Sequence, residues 1–156
     1  MFEQDLRVDV GTGVNVAGLI EEVVSSQSDR FNAFLEHFPG GFQSAPTDLE
    51  MYRWLLLPVL AVPVTDLERG LTVSGIRDLV NQHHPRRPLH DNSFLQALRR
   101  VSALQVQQKV KPIILDYDQT NRRLNVVDRG FLIWLQHQDR ADLLRQLGLP
   151  GSAVVP

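Results

Sequence analysis

The 156-residue chain is predicted to be mainly helical with one small β-hairpin, and therefore to belong to the α+β class. Two observations predict this. Apolar residues recur at three- and four-residue intervals in several stretches, as they do along one side of a helix. Between Pro112 and Val127, a β-favouring run, a group of turn-forming residues and a second β-favouring run follow one another. Hydrophobic content of 43 % and charged content of 22 % are ordinary for a globular protein.

The first 45 residues are predicted to form an acidic, helical N-terminal segment. From Met1 to Asp48, eight acidic residues face only two arginines. One aromatic stripe in this segment has helical spacing and consists of Phe31, Phe34, Leu35 and Phe38. We interpret the stripe as part of a core; an exposed docking face for a partner protein is the alternative.

The main domain is predicted over residues 46–149, after a linker that runs from Pro39 to Pro46. Thr47 and Glu50 fit a capping box, which predicts that a helix starts near Asp48. Because proline lacks the backbone N–H that a helix interior uses, Pro58 is expected to end or kink this helix.

A short strand, a helix and a long basic loop are expected next. Leu71 to Val73 can pair as a strand, and Ser74 can cap the helix that follows. The loop from His83 to His90 is longer than the turn of three or four residues in a tight helix-turn-helix. Arg86 and Arg87 lie in this loop, where they can hold a phosphate backbone.

The amphipathic stretch from Asp91 to Lys109 is predicted to be one helix. Its apolar side consists of Phe94, Leu95, Leu98, Val101 and Leu104. Another side carries Gln96, Arg99, Arg100, Ala103, Gln107 and Gln108. Arginine and glutamine can make bidentate hydrogen bonds with guanine and adenine, so Gln96, Arg100 and Gln107 are candidate base contacts. A solvated outer face is the alternative interpretation.

A β-hairpin with a basic end is predicted after this helix. Ile113 to Tyr117 is the first strand, Asp118 to Asn121 supplies the turn, and Leu124 to Val127 belongs to the second strand. Arg122 and Arg123 begin the second strand, so their guanidinium groups are expected near the tip of the hairpin. There they can contact phosphates or a narrow minor groove; a merely soluble turn is the alternative.

A single C-terminal helix, capped by Asp128, is predicted to include Phe131–Leu147, with a disordered tail over residues 150–156. The helix contains more apolar residues than a surface helix requires. We therefore expect it to pack across the domain or to offer a surface for a dimer or a protein partner.

This order of elements resembles that of winged helix-turn-helix proteins over about Thr47 to Val127, with an N-terminal helical extension and a C-terminal helix added. The resemblance implies binding of double-stranded DNA by the Asp91–Lys109 helix and the hairpin, called the wing, as in a transcriptional regulator or DNA-associated accessory factor. It also implies that the terminal helix builds a dimer. Other winged-helix proteins are protein-interaction modules of larger signalling or defence assemblies, and this alternative stays open.

The charge distribution agrees with an anionic partner. Between Gly70 and Pro112, seven basic residues face two acids, although the net charge of the whole chain is −2. A basic segment in an acidic chain indicates local attraction of an anion. Pairing between the acidic and basic segments, within one chain or between subunits, is the alternative explanation.

A small hydrolase or metal protein is the third and least supported hypothesis, and neither a cofactor nor membrane insertion is expected. The chain has no cysteine, its five histidines lack zinc-site spacing, and no serine lies in a Gly-x-Ser-x-Gly elbow. The most apolar run, Leu55 to Val64, contains two prolines and is about half as long as a membrane span, so we interpret it as a buried helix. The N-terminus lacks a signal-peptide pattern, and a cytoplasmic location is expected.

Overall fold

The computed structural model describes Gly18, residues 27–42 and residues 49–155. The described part of helix α1 covers residues 27–37. The other helices and strands follow in this order: α2 (Met51–Ala61), α3 (Val64–Arg69), β1 (Leu71–Thr72), α4 (Val73–Asn81), α5 (Asp91–Leu98), α6 (Val101–Gln107), β2 (Leu115–Asp118), β3 (Arg123–Val126), α7 (Arg129–Gln136) and α8 (Arg140–Gln146). Short 3₁₀ turns lie at Phe38–Gly40 and Gly151–Ala153.

Helices dominate the described part of the chain, and its strands form one antiparallel sheet in the order β1–β3–β2. The buried Leu124 of the central strand lies opposite Leu71 on one side and Tyr117 on the other. The predicted class, mainly helical α+β with a small hairpin, is confirmed.

The core surrounds α2, in which every residue except Arg53 is buried. This helix packs against the turn Phe38–Gly40 and against α4, α5 and α8. A helix that is apolar on all sides is stable only when other elements cover it. The sequence analysis interpreted the apolar run Leu55 to Val64 as a buried helix. This interpretation is confirmed for residues 55–61, which lie in α2.

Both ends of α2 differ from the sequence prediction. Glu50 has left-handed backbone geometry, with φ of 51°, and provides no side-chain cap, so the helix begins at Met51; Thr47 lies outside the described residues. Pro58 does not end the helix, which continues to Ala61. The Val62 N–H donates to the Pro58 carbonyl over 3.1 Å, so the turn after the proline is intact.

The aromatic stripe, which runs from α1 to Phe38 in the following 3₁₀ turn, belongs to the core, as predicted. All four side chains are buried, and Phe31 lies against α7, with ring centroids 5.4 Å from Phe131 and 5.5 Å from Trp134. The stripe therefore offers no exposed docking face. The described part of the N-terminal segment, residues 27–42, packs into the same core as the following domain.

The two long helices of the prediction are each divided in the structure. Residues 91–107 form α5 and α6, because the chain turns at Arg99 and Arg100 and the Arg100 N–H donates to Ala97 rather than one residue further back. Residues 129–146 form α7 and α8, and Asp139 caps α8 by accepting from the Asp142 N–H. Apolar spacing missed both breaks because the helices on either side of each break bury residues in the same core.

Two further capping residues are clear. Asp128 accepts hydrogen bonds from the N–H groups of Gly130 and Phe131, so its predicted cap is confirmed. At α4 the cap is Thr72, which accepts from the Gly75 N–H, instead of the predicted Ser74. The strand β1 accordingly ends one residue earlier than expected.

The C-terminal residues also differ from the prediction of a disordered tail. Ala153 is buried, and the Val155 N–H donates to the Ala61 carbonyl over 2.7 Å, which ties residues 150–155 to the end of α2. The apolar side chains between Phe131 and Leu144 are mostly buried within this chain, whereas Ile133 is 47 % exposed.

Gln105 joins the hairpin to α6. The side chain is fully buried, and its Oε1 accepts from the N–H groups of Ile114 and Leu115 over 2.8 and 3.0 Å. Its Nε2 donates to the carbonyls of Leu115 and Val101 over 2.6 and 3.0 Å. The amide therefore pairs with the first residue of β2 much as a neighbouring strand would.

We expect Gln105→Leu to lower the free energy of unfolding by about 3 kcal/mol, since each buried polar group left unpaired costs roughly 1–3 kcal/mol. Urea denaturation measures this change. Gln107→Leu, an exposed position on the same helix, should change stability by less than about 0.5 kcal/mol. Equal effects of the two substitutions would contradict the role of the Gln105 amide.

Candidate nucleic-acid interface

The position of α5 is fixed at its start by an ion pair with α4. Arg77 Nη1 donates to Asp91 Oδ1 over 2.9 Å, and Arg77 also pairs with Asp78. Hydrogen bonds to Asp91 and then to Asp78 raise the pKa of Arg77 above its ordinary value. The ion pair therefore ties the start of α5 to α4.

Two of the predicted DNA-binding arginines share one cleft between α5 and the hairpin. Arg99, from the end of α5, and Arg122, from the hairpin turn, line a space of about 140 Å³ together with Leu95, Tyr117 and Gln119. Both arginines are exposed. The sequence showed only that the helix precedes the hairpin along the chain. In the structure, one arginine from each lines the same space.

The hairpin turn is held by the side chain of Asp118. Its carboxylate accepts from the N–H groups of Thr120 and Asn121, over 2.9 and 3.1 Å, and from Asn121 Nδ2 over 2.7 Å. The Asn121 side chain and then its N–H lower the pKa of Asp118 below its ordinary value. Arg122 completes the turn in left-handed geometry, with φ of 56°, and this geometry places it at the cleft.

Arg123 does not join Arg122 in the cleft. It is half-buried as the first residue of β3, lies opposite Thr72 and donates from Nη1 to the Gly70 carbonyl over 3.2 Å. The backbone at Gly70 has φ of 86°, and a Cβ there would lie 2.3 Å from Asn125 Oδ1, so the close approach requires glycine. Arg123 therefore links β3 to the residue before β1.

Gln96, Arg99 and Arg100 line a second and larger space, a cavity of about 550 Å³. Aromatic residues Phe42 and Tyr52 lie on its wall, and the Arg100 guanidinium carbon is 3.9 Å from the centroid of the Phe42 ring. Burial raises the pKa of Tyr52, and the charge of Arg100 partly opposes that shift. Two candidate base contacts, Gln96 on α5 and Arg100 in the turn before α6, therefore border an aromatic cavity.

Gln107 lies apart from this group. It lines a different cavity beside the end of α1, with Glu36 and His37. The neighbouring Gln108 donates to the His37 carbonyl over 2.9 Å, which brings α1 against α6. The predicted base contacts thus divide between two places on the surface.

Arg86 and Arg87 are exposed in the loop between α4 and α5, as predicted, and the loop is built on His84. This histidine is 1 % exposed; its Nδ1 accepts from the Arg86 N–H, and its Nε2 lies 3.0 Å from the Leu49 carbonyl. Because Nδ1 accepts, Nε2 carries the proton and donates. Arg87 also donates to the His84 carbonyl over 3.2 Å.

Arginines of the described chain differ in their electrostatic partners. Those with a carboxylate partner are Arg30, Arg53, Arg69, Arg77 and Arg145. Among the described residues, no carboxylate pairs with Arg99, Arg100 or Arg122. Of the acids in residues 1–48, the structure describes Asp29 and Glu36, and neither pairs with a base of residues 70–112.

Several residues that shape this region were not identified from the sequence. Gln105 and His84 gave no signal, because a buried polar residue looks like a surface residue until its partners are known. Tyr117 could have been found: it is two residues from the buried Leu115 on the same strand, so both side chains lie on the face directed at the core.

Residues 27–42 and 49–155 contain no group of three histidine or acidic side chains that could hold a metal ion. No helix in the described residues has both the length and the apolar character that crossing a bilayer requires. Comparison of the chain with models of known protein families, with curated proteins and with solved structures gave no match.

We expect Asn121→Ala to raise the pKa of Asp118 toward its ordinary value, because the largest cause of the lowering is removed. An NMR titration of the Asp118 carboxyl carbon measures the change. Thr120→Ala keeps the backbone N–H and should leave this pKa unchanged; an unchanged pKa in Asn121→Ala would contradict the assignment.

The sign of the stability effect follows from this shift. A lowered folded-state pKa gives stability that is present above the unfolded-state pKa and is lost as pH falls through the folded-state value. Because the ordinary pKa of an aspartate is about 4, the contribution of Asp118 is constant near neutral pH.

Proposed function

We propose that this protein is a cytoplasmic winged-helix protein that binds double-stranded DNA, as a transcriptional regulator or DNA-associated accessory factor. Apart from the short helix α3 between α2 and β1, the order α2, β1, α4, α5 with α6, β2, β3 and the sheet order β1–β3–β2 agree with those expected of a winged helix. In this proposal α5 and α6 together correspond to the recognition helix, and the β2–β3 hairpin is the wing.

One observation carries the proposal: Arg99 and Arg122 meet at one cleft without a carboxylate partner among the described residues. Guanidinium groups without an ion-pair partner in the protein can bind phosphate oxygens without first breaking an internal pair. Their separate origins, one on the helix and one on the hairpin, suit contacts with the DNA backbone on either side of an inserted helix.

The arrangement assigns different roles to the predicted site residues. Arg99 and Arg122 bind phosphates, and the exposed Arg86 and Arg87 add backbone contacts from the loop before α5. Gln96 and Arg100, polar residues at the end of α5, are the candidates for contacts with base edges. Arg123 acts indirectly, by holding the sheet through Gly70.

The alternative, a protein-interaction module, receives less support. It would use the stripe Phe31–Phe38 or the apolar residues of Phe131–Leu147, and these side chains are mostly covered by the chain itself. Basic residues without carboxylate partners, in contrast, are available on the surface around the cleft.

Fluorescence anisotropy of a labelled random-sequence duplex tests the proposal. The wild-type chain should bind more weakly as salt is raised from about 50 to 200 mM, because binding to phosphates releases counterions. The variant Arg99→Ala/Arg122→Ala should bind more weakly than the wild type. Its plot of log K against log salt should be less steep by about 1.8, because each phosphate that an arginine neutralises adds roughly 0.9 to the slope.

A matched variant, Arg129→Ala/Arg145→Ala, removes two positive charges from α7 and α8, away from the cleft. It should keep the wild-type slope if binding is local to the cleft. The proposal fails if the folded wild-type chain does not bind duplex at low salt, or if both variants weaken binding equally.

A further inference from the structure

The cavity beside α5 has the composition of a small-molecule site. Its volume of about 550 Å³ lies within the range typical of ligand pockets. Phe42, Met51, Tyr52 and Ala97 supply apolar wall, while Arg99 and Arg100 supply the charge. An apolar wall with a few polar groups at one side fixes both the affinity and the orientation of a bound molecule.

Three polar side chains of the cavity, those of Arg99, Arg100 and Tyr52, make no hydrogen bond with another described residue. Neither guanidinium group donates a hydrogen bond to a described residue, and Arg100 is instead stacked on Phe42. The Tyr52 hydroxyl, on a side chain only 8 % exposed, likewise has no partner among the described residues. Burial favours the neutral phenol, which can donate a hydrogen bond.

The charges around the cavity select the kind of ligand. The charged side chains among its described lining residues are those of Arg99 and Arg100, so this lining carries positive charge. Arginine binds a carboxylate through two parallel hydrogen bonds, and the aromatic wall can cover a flat apolar group. A cation would meet two like charges, and a purely apolar molecule would leave both guanidinium groups unused.

We propose that this cavity binds an amphipathic organic anion, with its carboxylate on Arg99 and Arg100 and its apolar body against Tyr52 and Phe42. Arg99 also lines the cleft assigned above to DNA phosphate. Provided that the proposed DNA function holds, the anion and DNA compete for this guanidinium, so each lowers the affinity for the other.

Titration with 1-naphthoate, followed by ¹H–¹⁵N NMR of the full chain, tests the site. Two compounds with the same ring system serve as controls: neutral 1-naphthamide and cationic 1-naphthylmethylamine. Naphthoate should shift the amide signals of Ser93, Gln96 and Ala97 to saturation. The two controls should bind roughly ten- to a hundredfold more weakly, as expected when a charged hydrogen-bonding pair is absent.

Arg99→Gln should weaken naphthoate binding by roughly tenfold or more, and Arg145→Gln, on α8, should leave it unchanged. Arg99 is exposed, so the variant is expected to fold, and the NMR spectrum verifies this directly. Equal binding of all three compounds, shifts confined to other residues, or no binding by the wild-type chain would overturn the site.

Addition of naphthoate to the protein–duplex complex then tests the competition. Release of duplex by naphthoate, but not by naphthamide, is expected; retention of duplex at saturating naphthoate overturns the competition. The NMR titration contains no DNA, so failure of DNA binding and failure of the anion site are separate results.

Discussion

The position of the hairpin depends on the buried amide of Gln105. Because it bonds to both backbone groups of Leu115 and to the N–H of Ile114, it ties the start of β2 to α6 in a fixed register. Leaving these buried groups unpaired would cost more free energy than the bonds return when formed, so the arrangement is specific. Arg99 lies shortly before α6 and Arg122 in the turn of the hairpin, so this link joins the two segments that carry the arginines of the cleft.

Local turns then direct the individual cations. The Asp118 carboxylate holds the chain that leads to Arg122, and the break between α5 and α6 places Arg99 and Arg100 in a turn rather than along a continuous helix. Elsewhere in the described chain, five arginines are paired with carboxylates. Arg99 and Arg122 have no such partner among the described residues and line the same cleft, which is the physical basis for proposing an anionic partner.

The cleft and the aromatic cavity are adjacent because Arg99 borders both. One guanidinium group has a limited number of donors, so a phosphate on one side and a carboxylate on the other would compete for the same atoms. Residues of α5 line both sites; the rest of the cavity wall comes mainly from α2 and Phe42, which belong to the core, whereas the rest of the cleft comes from the hairpin. The two proposed functions therefore share Arg99 and one side of α5, while the opposite wall of each site comes from a different part of the fold.

The sequence alone determined the α+β class, the hairpin, the buried aromatic stripe and the Asp128 cap, because periodicity and turn chemistry are local properties. Tertiary structure alone decided where the long amphipathic stretches break and how the site residues divide. Arg123 turns to the Gly70 carbonyl, and Gln107 lies beside α1, although both shared a predicted surface with Arg100. The spacing of apolar residues indicates which side of a helix is buried. It does not indicate which distant segments contact the polar side. The winged-helix arrangement and its DNA target remain predictions from the sequence, supported by the order of the strands and by the cations at the cleft.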